Sequence, residues 1–401
     1  MKKLSNLGIL IAVCFICITS ISSCKSSIDA ISGSTLVWQS GSNNFFNQTE
    51  PKTLEGNSHI LITGEVESDE TIDLTDLPLR SVTIMEAKVE GSRFHGDFID
   101  STGWVKKRYN RDNPAQIAPN GAPASTINGR DFYGAFRYDG YALCDILNSI
   151  KIDKVNKNSF YPPVDLYVEI SNDKGDKALF SWGEIFYAAC PYSIIIAKRA
   201  TRLPTGKTGE LWPYPTQTKI VCKNDLIAER NIPNPSKITI RSLKGNYIVV
   251  RNDTIFKHYP GYIKVVDNDY QELGKIGDID KSIPVVSHAA IFYGRSMGFK
   301  GEKTFTGPML RDILIKYFNK YDPKFVREGM FSICGIDGYR CAFSVSEVLN
   351  RNDQREILLI NEFKKLNRNN YRAYIAPDHF ADRAIRSVSE IRLIPYDIPE
   401  D

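Results

Sequence analysis

The feature that most constrains this chain is a stretch that occurs twice. Asp225-Leu-Ile-Ala-Glu-Arg230-Asn-Ile232-Pro-Asn-Pro-Ser236-Lys-Ile238 returns 153 positions later as Asp378-His-Phe-Ala-Asp-Arg383-Ala-Ile385-Arg-Ser-Val-Ser389-Glu-Ile391. The Asp, Ala, Arg, Ile, Ser and Ile positions coincide, and acidic Glu229 aligns with acidic Asp382. Each copy follows an apolar run, Ile220-Val221-Cys222 or Ala373-Tyr374-Ile375, and ends in the alternation of a strand. An acid and a base repeated at fixed spacing predict one role performed twice.

Two further blocks keep the same order. Gly140-Tyr-Ala-Leu143-Cys-Asp145-Ile146-Leu147 matches Gly307-Pro-Met-Leu310-Arg-Asp312-Ile313-Leu314, with Leu, Ile and Leu on one face of a short helix opening just after the glycine. Phe180-Ser181-Trp-Gly-Glu184 matches Phe343-Ser344-Val-Ser-Glu347. The spacing predicts two similar domains, over 59–240 and 241–401. The first carries an insertion around Arg199 to Pro215. The expected fold is α+β, two β-rich domains of one kind packed pseudo-symmetrically. His59 to Val66 reads as the first strand, Asp73 to Pro78 as a capped short helix and Ser81 to Met85 as a strand. Residues 101–135 read as a long loop.

The N-terminus carries an address. Lys2-Lys3 precedes an uncharged apolar run from Leu7 to Ile21, too short for a comfortable membrane span. The run ends at Ile21-Ser22-Ser23-Cys24, which resembles the lipobox of bacterial lipoproteins. That resemblance implies removal of residues 1–23 and acylation of Cys24, with 24–58 as a polar tether. The expected location is the cell envelope, lipid-anchored on the periplasm-facing side of the outer membrane, with surface display as the alternative. The net charge of +4 falls to +2 without Lys2 and Lys3, too balanced for a nucleic-acid surface.

Five cysteines follow the anchor: 144, 190, 222, 334 and 341. Cys144 and Cys222 lie in apolar runs, as small buried hydrophobes do. With no CxxC and no Cys/His cluster, no metal site is expected. Residues 329–343 read as a hairpin turning through Asp337-Gly338 as a two-residue turn. That register sets Cys334 opposite Cys341, as a candidate disulfide or as two thiols side by side. Turning through Lys174-Gly175, it sets Ser171 opposite Ala178.

With these blocks placed, the chain resembles the molybdopterin-binding oxidoreductase domain of the sulfite oxidase family, present twice. The residues that carry the likeness are Gly307, Leu310 and Asp312-Ile-Leu314, then Asp337-Gly338-Tyr339 leading to Phe343-Ser344 and Glu347. The run Arg372 to Ile391, with Pro377-Asp378, Arg383 and Ser387-Val388, completes it. The likeness implies a molybdopterin cofactor whose molybdenum takes a cysteine thiolate, a soft donor. The stretches that correspond are Val82 to Arg93, where Lys88 falls near the cysteine position, and Val285 to Arg295. Neither contains a cysteine.

Arg93, His95, His288 and Arg295 lie where the family places its cofactor pocket. They would hold a phosphate or other anion, or serve as a solvated turn arginine and hydrogen-bonded histidines. Tyr339 and Arg340 are ligand-binding candidates or exposed hairpin residues. The Asp225/Arg230 and Asp378/Arg383 pairs are expected to stabilise the turn before each closing strand, with a ligand site as the alternative. Arg199, Arg202, Lys207, Trp212 and Tyr214 mix cations with aromatics, as a binding surface would, or form an exposed insertion. The expected function is non-catalytic binding of a small anionic ligand or an envelope protein. The alternatives are a molybdopterin-dependent oxidoreductase of the sulfite oxidase type and an assembly subunit.

Overall fold

Alternating apolar residues become strands throughout. The first half contains β1 (Lys52–Thr53), β2 (His59–Gly64), β3 (Glu70–Asp73), β4 (Leu79–Val89), β5 (Thr126–Ile127), β6 (Arg130–Ala142), α1 (Leu143–Leu147), β7 (Leu166–Ser171), β8 (Lys177–Ser181), α2 (Trp182–Phe186), β9 (Ile194–Arg202), β10 (Lys219–Cys222) and β11 (Lys237–Ser242). The second contains β12 (Ile263–Val266), β13 (Glu272–Ile276), β14 (Val285–Gly294), β15 (Gly298–Pro308), α3 (Leu310–Leu314), α4 (Pro323–Glu328), β16 (Met330–Gly335), β17 (Arg340–Ser344), α5 (Val345–Leu349), β18 (Ile357–Asn361), β19 (Tyr371–Ile375) and β20 (Val388–Ile394). This computed structural model describes residues 50–89, 92, 126–127, 130–204, 212–245, 247, 249–250, 253–294, 298–318, 322–362 and 369–394.

The fold is β-rich, with mixed and antiparallel sheets and short helices, in keeping with the α+β class. Two five-stranded sheets, β3-β2-β11-β7-β8 and β13-β12-β20-β16-β17, run through one sequence of pairings: antiparallel, parallel, antiparallel, antiparallel. The remaining strands form a β4-β6-β9 sheet, extended by β1, β5 and β10, and two hairpins, β14-β15 and β18-β19. Residues 49–401 group as one compact unit. One apolar core fills the first half, around Phe136, Leu166, Phe180 and Ile238. Another fills the second, around Phe331, Phe343, Leu359 and Ile391. Tyr167, Leu179, Leu243, Met330, Ala342 and Ile394 form a third cluster where the two five-stranded sheets meet.

Several sequence expectations need correction. The glycines of the helix blocks do not open helices. Gly140 lies in β6 and Gly307 in β15, where a neighbouring strand passes so close that an added Cβ would sit 2.1 Å from Ile196 O and 2.7 Å from Leu359 O. The helices begin three residues later, at Leu143 and Leu310. The expected loop over 101–135 ends early, because β6 starts at Arg130; residues 101–125 lie outside the described ones. Arg199 and Arg202 belong to β9, and Trp212 and Tyr214 are buried against the Phe136 ring, so they form core rather than a binding surface.

The hairpin register also differs, by one residue. Ile333 pairs with Cys341 and Cys334 with Arg340. Gly335 N–H donates to Tyr339 O, leaving the three-residue turn Ile336-Asp337-Gly338, with Gly338 left-handed at φ 79°. A three-residue turn ending in a left-handed glycine shifts the pairing by one, which sends Cys334 and Cys341 to opposite faces. Both are free thiols, so the candidate disulfide is absent. The β7-β8 hairpin does the same: Ile170, not Ser171, faces Ala178, and Gly175 sits at φ 85°.

Candidate functional site

The repeated acids and bases meet in a buried seam between the halves. Ser181 caps α2 by accepting from Glu184 N, and Ser344 caps α5 by accepting from Glu347 N. These helices aim their first-turn carboxylates inward. Arg230 grips Asp225 with two bonds, Nε to Oδ2 at 2.8 Å and Nη2 to Oδ1 at 2.7 Å. Its Nη1 donates to Glu184 at 2.9 Å and crosses to Ser344 Oγ at 3.1 Å. Arg383 grips Asp378 at 2.8 and 2.6 Å, donates to Glu347 at 2.6 Å and crosses to Ser181 Oγ at 3.1 Å. Backbone pairs repeat the exchange: Leu226 N–H donates to Asn350 O, and His379 N–H to Tyr187 O. Both guanidinium groups are fully buried.

Two arginines face four carboxylates here, and the neighbours are unequal. Burial opposes ionisation of Arg230 and Arg383, but the carboxylates outweigh it and hold both pKa values well above the usual. Burial raises Asp378 to about 6 against the pull of Arg383. Asp225 receives a further bond at 3.0 Å from Ser346 Oγ. The residue in that place beside Asp378 is Gly183, which has no hydroxyl. Arg383 packs directly on that glycine, whose added Cβ would lie 2.3 Å from its guanidinium carbon.

A second buried network lies along β4. Glu86 on β4 pairs with Lys219 at 2.9 Å and accepts from Tyr138 Oη and Asn231 Nδ2, both at 2.7 Å. Lys88 is buried, its Nζ 5.3 Å from the Tyr133 ring. Glu229 accepts from Val89 N–H and Ser92 Oγ. The thiol that feels Glu86 is that of Cys222, which full burial pushes well above its usual pKa; burial likewise raises Cys144 to about 11 and Cys334 to about 12, and pushes Cys341 well up. The exposed Cys190 lies between α2 and β9. A lysine–carboxylate network beside a fully buried, protonated thiol does not fit a soft metal.

A cleft of about 400 Å³ lies where the halves meet. Phe160, Tyr161, Phe256 and Tyr339 supply aromatic walls, with Val249 and Val250, and Asp337 and Arg386 supply charge. Its frame is tightly bonded. Lys154 Nζ donates to Phe160 O, Pro162 O and Asp165 Oδ1 at 2.6–2.7 Å, and Arg340 reaches the same Asp165 at 3.2 Å. The Arg340 guanidinium lies 4.3 Å from the Phe160 ring and 4.2 Å from that of Tyr247. Val250 N–H donates to Asp337 O, and Ile336 N–H to the carbonyl of Ser387, a non-glycine at φ 48°.

The structure separates the residues singled out from sequence. Tyr339 lines the cleft and donates to Asp382 O at 2.7 Å. Arg340 is neither an exposed hairpin residue nor a direct contact of the cleft, since it is buried behind the Phe160 wall. His288 sits on the β14-β15 ribbon, partly buried, its Nε2 without a hydrogen-bond partner among the described residues. Arg93, His95, Arg295 and Cys24 lie outside the described residues. Glu184, Glu347, Ser181 and Ser344 were visible as a matched block, and an acid at one register in both copies was the signal of their shared role. Nothing in the sequence pointed to Arg386. No protein-family model matches the chain, and no curated protein matches it.

Proposed function

We propose that this chain is a non-catalytic binding module, built from two copies of one sulfite-oxidase-like domain and held at the cell envelope by an acylated Cys24. What carries the reading is the use of the duplicated charges. Arg230 and Arg383 are each engaged by two carboxylates of their own half and a serine of the other, which leaves them no substrate to act on. The exchanged serine contacts and the shared strand order of the two five-stranded sheets support the duplication. The Lys88 and Glu86 surroundings argue against a thiolate-held molybdenum. The cleft at Tyr339 and Arg386 is the binding site in this reading, and its frame is rigid enough to act without closure.

Elemental analysis of protein purified from its native host tests this. The expected molybdenum content is far below one atom per chain, with no fluorescent pterin released on acid oxidation. Stoichiometric molybdenum would replace the binding reading with the oxidoreductase one.

A further inference from the structure

We infer that the cleft takes a small organic anion carried on a ring, anchored through Arg386. This specifies the ligand of the binding reading and rests on it. Three observations point the same way. The volume, about 400 Å³, suits a ligand of one or two rings. The walls are four aromatic side chains, one of them Tyr161, 74% exposed at the rim, where no core packing accounts for so large a ring.

Arg386 supplies the charge. It is exposed, stacks over Phe256 at 5.1 Å and forms no ion pair among the described residues. A stacked guanidinium is held in plane, yet its edge donors stay free to fork onto a carboxylate or phosphate. The other cations nearby are spent, since Lys154 and Arg340 both serve Asp165.

Asp337 also lines the cleft. Its Oδ1 accepts from Tyr339 N–H at 3.1 Å, and as a carboxylate it can accept further donors. It repels a second anion and favours a hydroxyl. The ligand class is therefore a ring carrying both an acid group and a hydroxyl, as in aromatic hydroxyacids and sugar acids.

Titration calorimetry on the mature chain at neutral pH, with 4-hydroxybenzoate and glucuronate as probes, tests the inference. 4-Hydroxybenzamide and glucose serve as uncharged controls. At least one acid should bind, its neutral counterpart at least tenfold more weakly, and Arg386→Gln should abolish the difference. Tyr161→Ala should weaken the acid severalfold while leaving its preference over the neutral form. Binding by 4-hydroxybenzoate alone assigns the aromatic source, and by glucuronate alone the saccharide source. Absence of binding by both acids, or an acid affinity unchanged in Arg386→Gln, overturns the inference. Either result is independent of the molybdenum content, so the two tests fail separately.

Discussion

Asp225 and Asp378 play one role with unequal neighbours. Both hold an arginine by two short bonds in full burial. Only Asp225 has the Ser346 hydroxyl, because Arg383 occupies the space that a side chain at Gly183 would need. At Asp378 burial outweighs the pull of Arg383, and its pKa rises to about 6 from the usual 3.8. The native state then binds this proton more tightly than the unfolded chain does. Its contribution to stability is fully present below the unfolded value and is lost as pH rises through about 6. Lowering the pH from 7 to 5 should stabilise the wild type relative to Asp378→Asn by about 1.4 kcal/mol. Urea midpoints of the two proteins at both pH values measure this, and an unchanged gap would mean that Asp378 ionises normally. The Asp–Arg pairs were legible from their spacing. The raised pKa of Asp378 was not, since it comes from burial that spacing does not reveal.

At the scale of elements, the hairpins show where a sequence pattern stops short. Asp337-Gly338 marks a turn correctly, and the flanking apolar runs are strands. The dipeptide does not reveal whether the turn holds two residues or three, and side chains alternate faces, so that one residue decides whether two cysteines meet. In the three-residue turn Cys334 faces Arg340 and its thiol donates to Gly335 O, while Cys341 is fully buried. Alkylation of the non-reduced protein should leave both thiols unmodified in the native state and label both in denaturant. A Cys334–Cys341 disulfide peptide in the non-reduced digest would require the two-residue register instead. The glycine blocks teach the same lesson: their periodicity announced the helices, while the glycines answer to a strand from elsewhere in the sequence.

At the scale of the whole molecule, the matched blocks were legible because they converge on one seam, whereas the cleft was not. Its walls come from residues 159–162, 249–250 with 256, 337 with 339, and 386, four segments with no common spacing. The seam makes a stronger claim about cooperativity. Each arginine bonds carboxylates of its own half and a helix-capping serine of the other, so removing either disturbs both halves. Arg383→Met would leave Asp378 and Glu347 buried without their cation, at a cost of about 3–5 kcal/mol, since breaking a buried pair strands its partner. It would also release Ser181, which caps α2 on the other side. The wild type should therefore melt in a single calorimetric transition, and Arg383→Met should still melt in one, at lower temperature. Hydrogen exchange in the variant should show lost protection in β8 and α2 as well as in β20. Two separated transitions, with only the half containing residue 383 shifted, would mean that each half folds on its own core and that the seam only aligns them.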